Sequence, residues 1–490
     1  MSSSFLSLYG GEGEEAFGGE DPIITLPTRR DVLEALRTIS PFDLIVVGGG
    51  LPGVTVAREA SLQGADVLLI DSGYFGEHSV AWREPLALTH ATRPWSLVRS
   101  LRVMRSVAEE FPHLVTHRVY ADGAPHGIGG RVASWFIRRA LQSEGGEVVL
   151  PDVDERLLTR ERALAARQEG ALVLSAAAPA YVERGTDAGR FRVGVRDLLS
   201  GKIVEVAGRS LFIDPTCAHP LVSRLGTPIV TRTLPHLPHI SVVCRVEGPS
   251  LKEGYETFVL STGLVVGFCE LEPCVVEISL LGVDEANGAA FVADVVRHVC
   301  EAKGVRFVEE VSHRRCGQSY GSRMQLLRKG NLFLAEESGP WDVTEISRRL
   351  VAKAVEASST PRIRRSLPGE WRGGEREEFI SGARAAGIGE LTIERVLQRW
   401  KGRVRYISQF ENGFEEVCEG VLRGEILLAV DSDQVTSLED VVFGSLALHT
   451  IPNWRALVPA IAQALVATES LDSSAINVER AVGPGSMRAV

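Results

Sequence analysis

The segment DLIVVGGGLPGVTVAREASLQGADVLLID, residues 43–71, constrains this chain more than any other. DLIVV is a continuous apolar run that stops at glycines, the pattern of a strand buried on both faces of a parallel sheet. VTVAREASLQ follows as a helix and ADVLLID as a second strand. In such a unit Gly48 permits the tight turn, Gly50 lets backbone approach a pyrophosphate, and Gly53 lets the helix pack closely on the strand. The helix N-terminus presents free N–H groups and the positive end of its dipole to an anion. Asp71 ends the second strand about twenty residues on, where an acid accepts hydrogen bonds from ribose hydroxyls and repels a 2′-phosphate. Gly49 and Ser72 flank these positions and are counted with them as cofactor-binding. Pro52 fits a first helical turn but brings no N–H, so one phosphate donor is missing. A glycine-rich turn holding no cofactor would share the glycines; the acid in register with strand and helix favours an adenine-dinucleotide site.

The rest of the chain supplies further domains. At 490 residues it can bury a large core and hold two or three of them. GRFRVGVRDLLSGKIVEVAGRSLFID reads as an antiparallel hairpin running into a buried strand. YETFVLSTGLVVGFCELEPCVVEISLLGV gives three alternating strands joined by STG and LEP, an antiparallel sheet of its own. PRIRRSLPGEWRGGEREE is Pro/Gly-rich and charged, as a linker is. Beyond it GELTIERVLQRWKG and SLEDVVFGSLALH are amphipathic helical segments, with Thr392 or Ser437 as helix caps.

These motifs together resemble the FAD-dependent glycerol-3-phosphate dehydrogenases over most of the chain. TRRDVLEALRTISPFDLIVVGGG is similar to their lead-in helix and first strand, and SLVRSLRVMRSVAEEFPHLV to the helix after their flavin loop. PDVDERLLTRERALAARQEGALVL matches their helix opening with an acidic pair, then a strand. GEILLAVDSDQVTSLEDVVFGSLAL is close to their helical C-terminal domain. The resemblance implies an α/β fold: a Rossmann-like FAD-binding domain interleaved with an antiparallel β-sheet substrate domain, plus a helical C-terminal domain. The expected boundaries are an acidic extension and lead-in helix at 1–40, the FAD-binding domain at 41–225 and 326–360, and the substrate domain at 226–325. A linker at 361–378, a helical domain at 379–470 and a tail at 471–490 complete the chain.

The family's functional motifs carry over unevenly. SVAWREPLALTHATRPW aligns with the flavin loop: His90 fits the family histidine, Ala91 and Thr92 replace glycines, and Ala87 stands at the lysine position. The Asn-Ala-(Ala/Thr)-Gly turn becomes Asp214, Pro215, Thr216, Cys217, with Thr216 assigned to the cofactor and Cys217 read as a small buried residue. In LPHLPHISVVCRV, His239 takes the place of the substrate-side histidine and is the candidate acid/base group; a hydrogen-bonded structural histidine is the competing reading. CGQSY places Ser319 at the phosphate-binding arginine, leaving Arg314 and Arg315 nearby, of which Arg315 is the substrate-binding candidate. In FLAEESGPWDVTEISRRLVAKAV, Pro340 takes the lysine position while Glu336 and Glu337 enter the turn. A neutral or cationic substrate, or one presented by a carrier protein, suits these replacements better than glycerol 3-phosphate.

Composition narrows the setting. Lys and Arg total 53 against 63 Asp and Glu, a net charge of −10 that disfavours a nucleic-acid partner. No apolar run reaches bilayer-spanning length. The acidic start MSSSFLSLYGGEGEEAFGGED lacks the features of a secretory or mitochondrial address. Seven cysteines form no CxxC pair, which predicts no metal site and a reducing, cytoplasmic setting. Two functions follow: an FAD-dependent oxidoreductase, or a flavoprotein fold without catalysis that serves as a binding or assembly partner. A plain NAD dehydrogenase suits neither the hairpin nor the C-terminal domain.

Overall fold

A computed structural model of the chain describes residues 29–38, 41–75, 109–120, 148–153, 155–185, 190–214, 236–248, 255–259, 265–272, 274–281, 288–319, 325–336, 343–355, 369–446, 448, 454–467, 476, 478 and 481. The first helix, α1 (Arg29–Ala35), precedes β1 (Phe42–Val47), α2 (Leu51–Leu62) and β2 (Val67–Ile70). β3 (Val115–Tyr120) and β4 (Val148–Val153) form a separate antiparallel pair. Then come α3 (Glu155–Gln168), β5 (Leu172–Leu174), β6 (Ala177–Arg184), β7 (Phe191–Asp197) and β8 (Ile203–Ile213). β1 lies between β2 and the second half of β8, parallel to both, and β2 is parallel to β5.

Alternation in β1 explains its burial on both faces. Leu44 and Val46 enter the core shared with α2 and α3, whereas Ile45 and Val47 join the opposite core with Val193 and Val195 of β7. β7 pairs antiparallel with β6 on one side and with the first half of β8 on the other, which is the hairpin expected from the sequence.

The second sheet is antiparallel throughout. It comprises β9 (His236–Glu247), β10 (Tyr255–Val259), β11 (Val265–Glu272), β12 (Val275–Leu281) and β13 (Arg306–Ser319) in the order β10-β11-β12-β9-β13. The helix α4 (Gly288–Ala302) covers one face, packing Val292, Val296 and Val299 on Ile240, Val242, Val276 and Ile278. The chain then returns to the first sheet: β14 (Gln325–Lys329) pairs with β15 (Leu332–Glu336), and β15 lies parallel to β8. α5 (Val343–Ala354) packs on α2.

The C-terminal part contains α6 (Glu375–Ala385), α7 (Glu390–Trp400), the short ladder of β16 (Glu416–Cys418) and β17 (Val421–Leu422), α8 (Arg423–Asp433) and α9 (Trp454–Ala467). Trp400, Ile426, Leu428 and Trp454 form its core, which also takes in Val243 and Val275 from the face of the second sheet opposite α4. Before the π-helical turn Asp440–Ser445, the Asp440 N–H donates to Ser437 Oγ (3.1 Å) and the Ser437 N–H to Asp440 Oδ2 (3.0 Å), so Ser437 caps as expected. Thr392 does not cap: α7 begins after Gly389, whose extended backbone starts the helix and places Thr392 inside the first turn. Residues 369–374 pack against the C-terminal part, with the Gly402 N–H on Gly369 O at 2.9 Å.

No helix among the described residues is long and apolar enough to cross a membrane, and none of their His, Cys, Asp and Glu side chains cluster as metal ligands.

Candidate functional site

The glycine turn between β1 and α2 is shaped as a phosphate-binding cradle. Gly48 has φ 106°, a conformation that side-chain-bearing residues rarely adopt. A Cβ on Gly53 would come within 1.9 Å of Gly48 O, so the helix can approach the strand only with glycine there. The N-cap residue of α2, Gly50, is extended and no side chain within the helix caps it. This is the strand–turn–helix geometry expected from the sequence.

Two carboxylates face the turn. Asp71, 5% exposed, accepts from the Gly49 N–H through Oδ2 and from the Gly73 N–H through Oδ1 at 2.7 Å. It sits at the end of β2, beside β1, where it can meet a ribose, while Ser72 next to it is exposed. Asp214, 1% exposed, follows the last residue of β8 on the other side of β1. Its backbone N–H donates to Val47 O at 2.8 Å, and its Oδ2 accepts from the Gly53 N–H at 3.2 Å. A Cβ on Gly50 would lie 2.9 Å from Asp214 Oδ2, and one on Gly49 would lie 2.6 Å from the Phe75 ring. Each glycine is therefore required by a neighbour within the chain. Neither Phe75 nor Asp214 is a cofactor residue in the sequence reading; Asp214 opens the turn aligned with the family's Asn-containing motif, which is the one signal that could have marked it.

The cradle backs onto a buried layer of charge. Arg58 of α2 meets Glu110 at 2.5 Å and Glu169 at 3.3 Å, and Arg162 of α3 donates to Thr55 Oγ1 at 2.6 Å. Burial pulls the Arg162 guanidinium down to about 10 against the opposing charge of Glu110, so it stays cationic at neutral pH. Glu161 opposes His113 at 3.3 Å and accepts the Gly369 N–H at 2.6 Å. Burial opposes its ionisation, but His113 and Arg403 outweigh that and hold its carboxyl below the usual range. These contacts tie α2 to α3 and both helices to Glu110, His113 and Gly369.

The substrate-side candidates lie on the second sheet. His239 on β9 is in register with Leu281 of β12 and with Cys316 of β13. Arg315 is in register with Ile240, one residue along, whereas Arg314 is in register with Ser241, two residues from His239. His90 and Thr216, together with the flavin-loop residues Ala87, Ala91 and Thr92, and Cys217, Glu337 and Pro340, lie outside the described residues. Ser319 and Glu336 end β13 and β15.

The sequence matches no known family model and no curated protein. Among solved structures the chain is similar to the glycerol-3-phosphate dehydrogenase from Bacillus halodurans complexed with FAD, at a TM-score of 0.65 and 15% identity, covering 92% of this chain and 95% of that one. It matches the glycine oxidase from Geobacillus kaustophilus at a TM-score of 0.45 and 15% identity, over 66% of this chain and 99% of that one. The match to L-proline dehydrogenase from P. horikoshii has a TM-score of 0.44 and 12% identity, over 74% and 96%. The fold is that of the FAD-binding Rossmann-type oxidoreductases.

Proposed function

We propose that this chain is an FAD-dependent oxidoreductase of the cytoplasm, related to the glycerol-3-phosphate dehydrogenases, that oxidises a C–H bond next to oxygen or nitrogen. The observation that carries this reading is the cradle itself: a positive-φ Gly48, a Gly53 pressed on Gly48 O, and a buried Asp71 aligned by the Gly49 N–H at the adjacent strand end. In this reading the tight turn at Gly48 and Gly49 gives the pyrophosphate its close approach, the N–H groups of Gly50 and Leu51 at the N-terminus of α2 receive it, and Asp71 receives the adenosine ribose. His90 and Thr216 are assigned to the flavin end. FAD, when bound, supplies the two-electron acceptor for hydride.

The protein's own part is to bind, orient and manage protons. His239 takes the proton of the substrate hydroxyl or amine, and Arg315 orients the substrate. Ser319 and Pro340 stand where the resembled family carries an arginine and a lysine, and Glu336 and Glu337 enter the second of those motifs, which favours a neutral or cationic small molecule, or one held by a carrier protein, over a phosphate ester. The test is the visible spectrum of the purified chain, followed by identification of any nucleotide released on denaturation. The absorption of an oxidised flavin, bleached anaerobically by an amine or alcohol substrate, is the expected result.

One observation favours a second reading, a flavoprotein fold that acts as a binding or assembly subunit. Asp214 puts a carboxylate on the N-terminus of α2, where a pyrophosphate would sit. A colourless protein that takes up no added FAD would favour that reading instead and turn the search to a protein partner.

A further inference from the structure

We infer that the Asp214 carboxylate competes with phosphate groups for the N-terminus of α2, and so sets which adenine ligands the cradle accepts and how tightly; this rests on the dinucleotide reading above. The argument begins with donors. A helix start leaves its first few N–H groups without intrahelical partners, and those are what an anion uses. In α2 these belong to Gly50, Leu51, residue 52 and Gly53, since the Val54 N–H already bonds Gly50 O at 3.1 Å. Residue 52 is proline and has none. The Gly53 N–H is held by Asp214 Oδ2 at 3.2 Å. Half of the usual donor set is therefore withheld from a phosphate.

Position and charge act in the same direction. Oδ2 lies 2.9 Å from where a Gly50 Cβ would be, so the carboxylate occupies the surface of Gly50 at which a pyrophosphate approaches most closely. The side chain is anchored from behind, because the Asp214 N–H is bonded to Val47 O at 2.8 Å and the residue is 1% exposed. On the opposite flank Asp71 holds the Gly49 N–H. A phosphate entering between two carboxylates at a buried helix end meets repulsion that water screens weakly. Adenosine, which carries no phosphate, meets none. Asp214 should thus penalise ligands in proportion to their phosphate charge while serving as the N-cap that α2 lacks.

Asp214→Asn separates these roles, because the amide keeps an oxygen for the Gly53 N–H and loses the charge. Isothermal titration of the dialysed full-length wild type and D214N with FAD, ADP and adenosine provides the test. The expected result is FAD and ADP binding tightened roughly tenfold or more in D214N, with adenosine affinity unchanged. Equal FAD affinity in the two proteins overturns the competition and leaves the FAD reading standing. A gain shared equally by adenosine overturns it as well, since that would report a change of shape. If neither protein binds FAD or ADP, both the competition and the dinucleotide reading fall. Asp214→Ser, a neutral capping side chain, gives the same comparison if D214N does not fold.

Discussion

The Asp433 carboxylate lies 2.8 Å from the Arg160 guanidinium, a buried pair that ties the last turn of α8 to α3. The same carboxylate meets Arg403 at 2.6 Å and accepts the Ser445 hydroxyl at 2.6 Å. Both guanidiniums lie over the Trp400 ring, with centroid distances of 5.4 Å for Arg160 and 4.9 Å for Arg403. One acid thus pairs with two cations at the junction of the first sheet's helices and the C-terminal helices. Removing it leaves both arginines buried without that charge. Asp433→Ala is expected to destabilise the protein by about 3–5 kcal/mol, the usual cost of breaking a buried pair from one side. The urea midpoint of the full chain reads this directly; a change below about 1 kcal/mol would mean that the junction is open to water.

The same acids set the response to pH. At Asp433 burial opposes ionisation, but Arg160 and Arg403 outweigh it and hold the carboxyl below its ordinary value of 3.8; Glu161 is held below 4.5 in the same way by His113 and Arg403. A depressed folded-state pKa contributes stability that is present above the ordinary value and lost as pH falls through the folded one. Asp440 has the opposite sign, since burial raises its pKa and protonation relieves it. The stability gap between wild type and Asp433→Asn should therefore be widest at neutral pH and close as pH drops below about 4. Urea midpoints measured stepwise downward from neutral pH check this. A gap that does not change with pH would contradict the ion-pair account.

Gly53→Ala probes the cradle without reference to any ligand. The new Cβ would sit 1.9 Å from Gly48 O, a backbone atom at the end of β1, so α2 must move off the sheet. A loss of at least about 3 kcal/mol is expected, beyond ordinary overpacking. Gly373→Ala is the matched control, because nothing lies within 4 Å of its Cβ position. That change should stay within about 0.5 kcal/mol. Thermal unfolding of the two variants side by side separates steric demand from the general effect of replacing a glycine.

The elements that could be read from sequence are those whose signal is local. DLIVV announces β1 because its apolar run ends at glycines, and FRVGVRD and IVEVAG alternate as a hairpin must. What could not be read depends on partners far along the chain. ERLLTRERALAARQ is dense in charge, yet Arg160, Glu161, Arg162 and Arg167 of α3 are all buried. Their burial depends on residues such as Asp433, 273 positions from Arg160, and no spacing rule pairs them. The same holds at the cradle. Gly50 reads as room for a pyrophosphate, but the residue that fills the space is Asp214, brought there by the parallel register of β8 on β1. A glycine fingerprint reports that something must approach closely, and not whether the visitor is a ligand or the chain itself.

Thiol reactivity tests the second sheet and its covering helix. Cys244 on β9 and Cys300 on α4 are buried in one core, whereas Cys274, in the turn between β11 and β12, is exposed. Burial pushes the Cys244 thiol far up, with Cys300 adding to it, and lifts Cys300 to about 11, with Glu301 adding to it. Cys418 is half-buried and is raised to about 11 by burial and Glu416. Alkylation proceeds through the thiolate and needs access, so both conditions protect the first pair. In the folded protein at about pH 8, iodoacetamide should modify Cys274 at least about 100-fold faster than Cys244 or Cys300, with Cys418 between them. In urea the four rates should converge. Peptide mapping over a time course resolves each site. Early labelling of Cys244 in the native protein would mean that α4 does not cover that face of the second sheet.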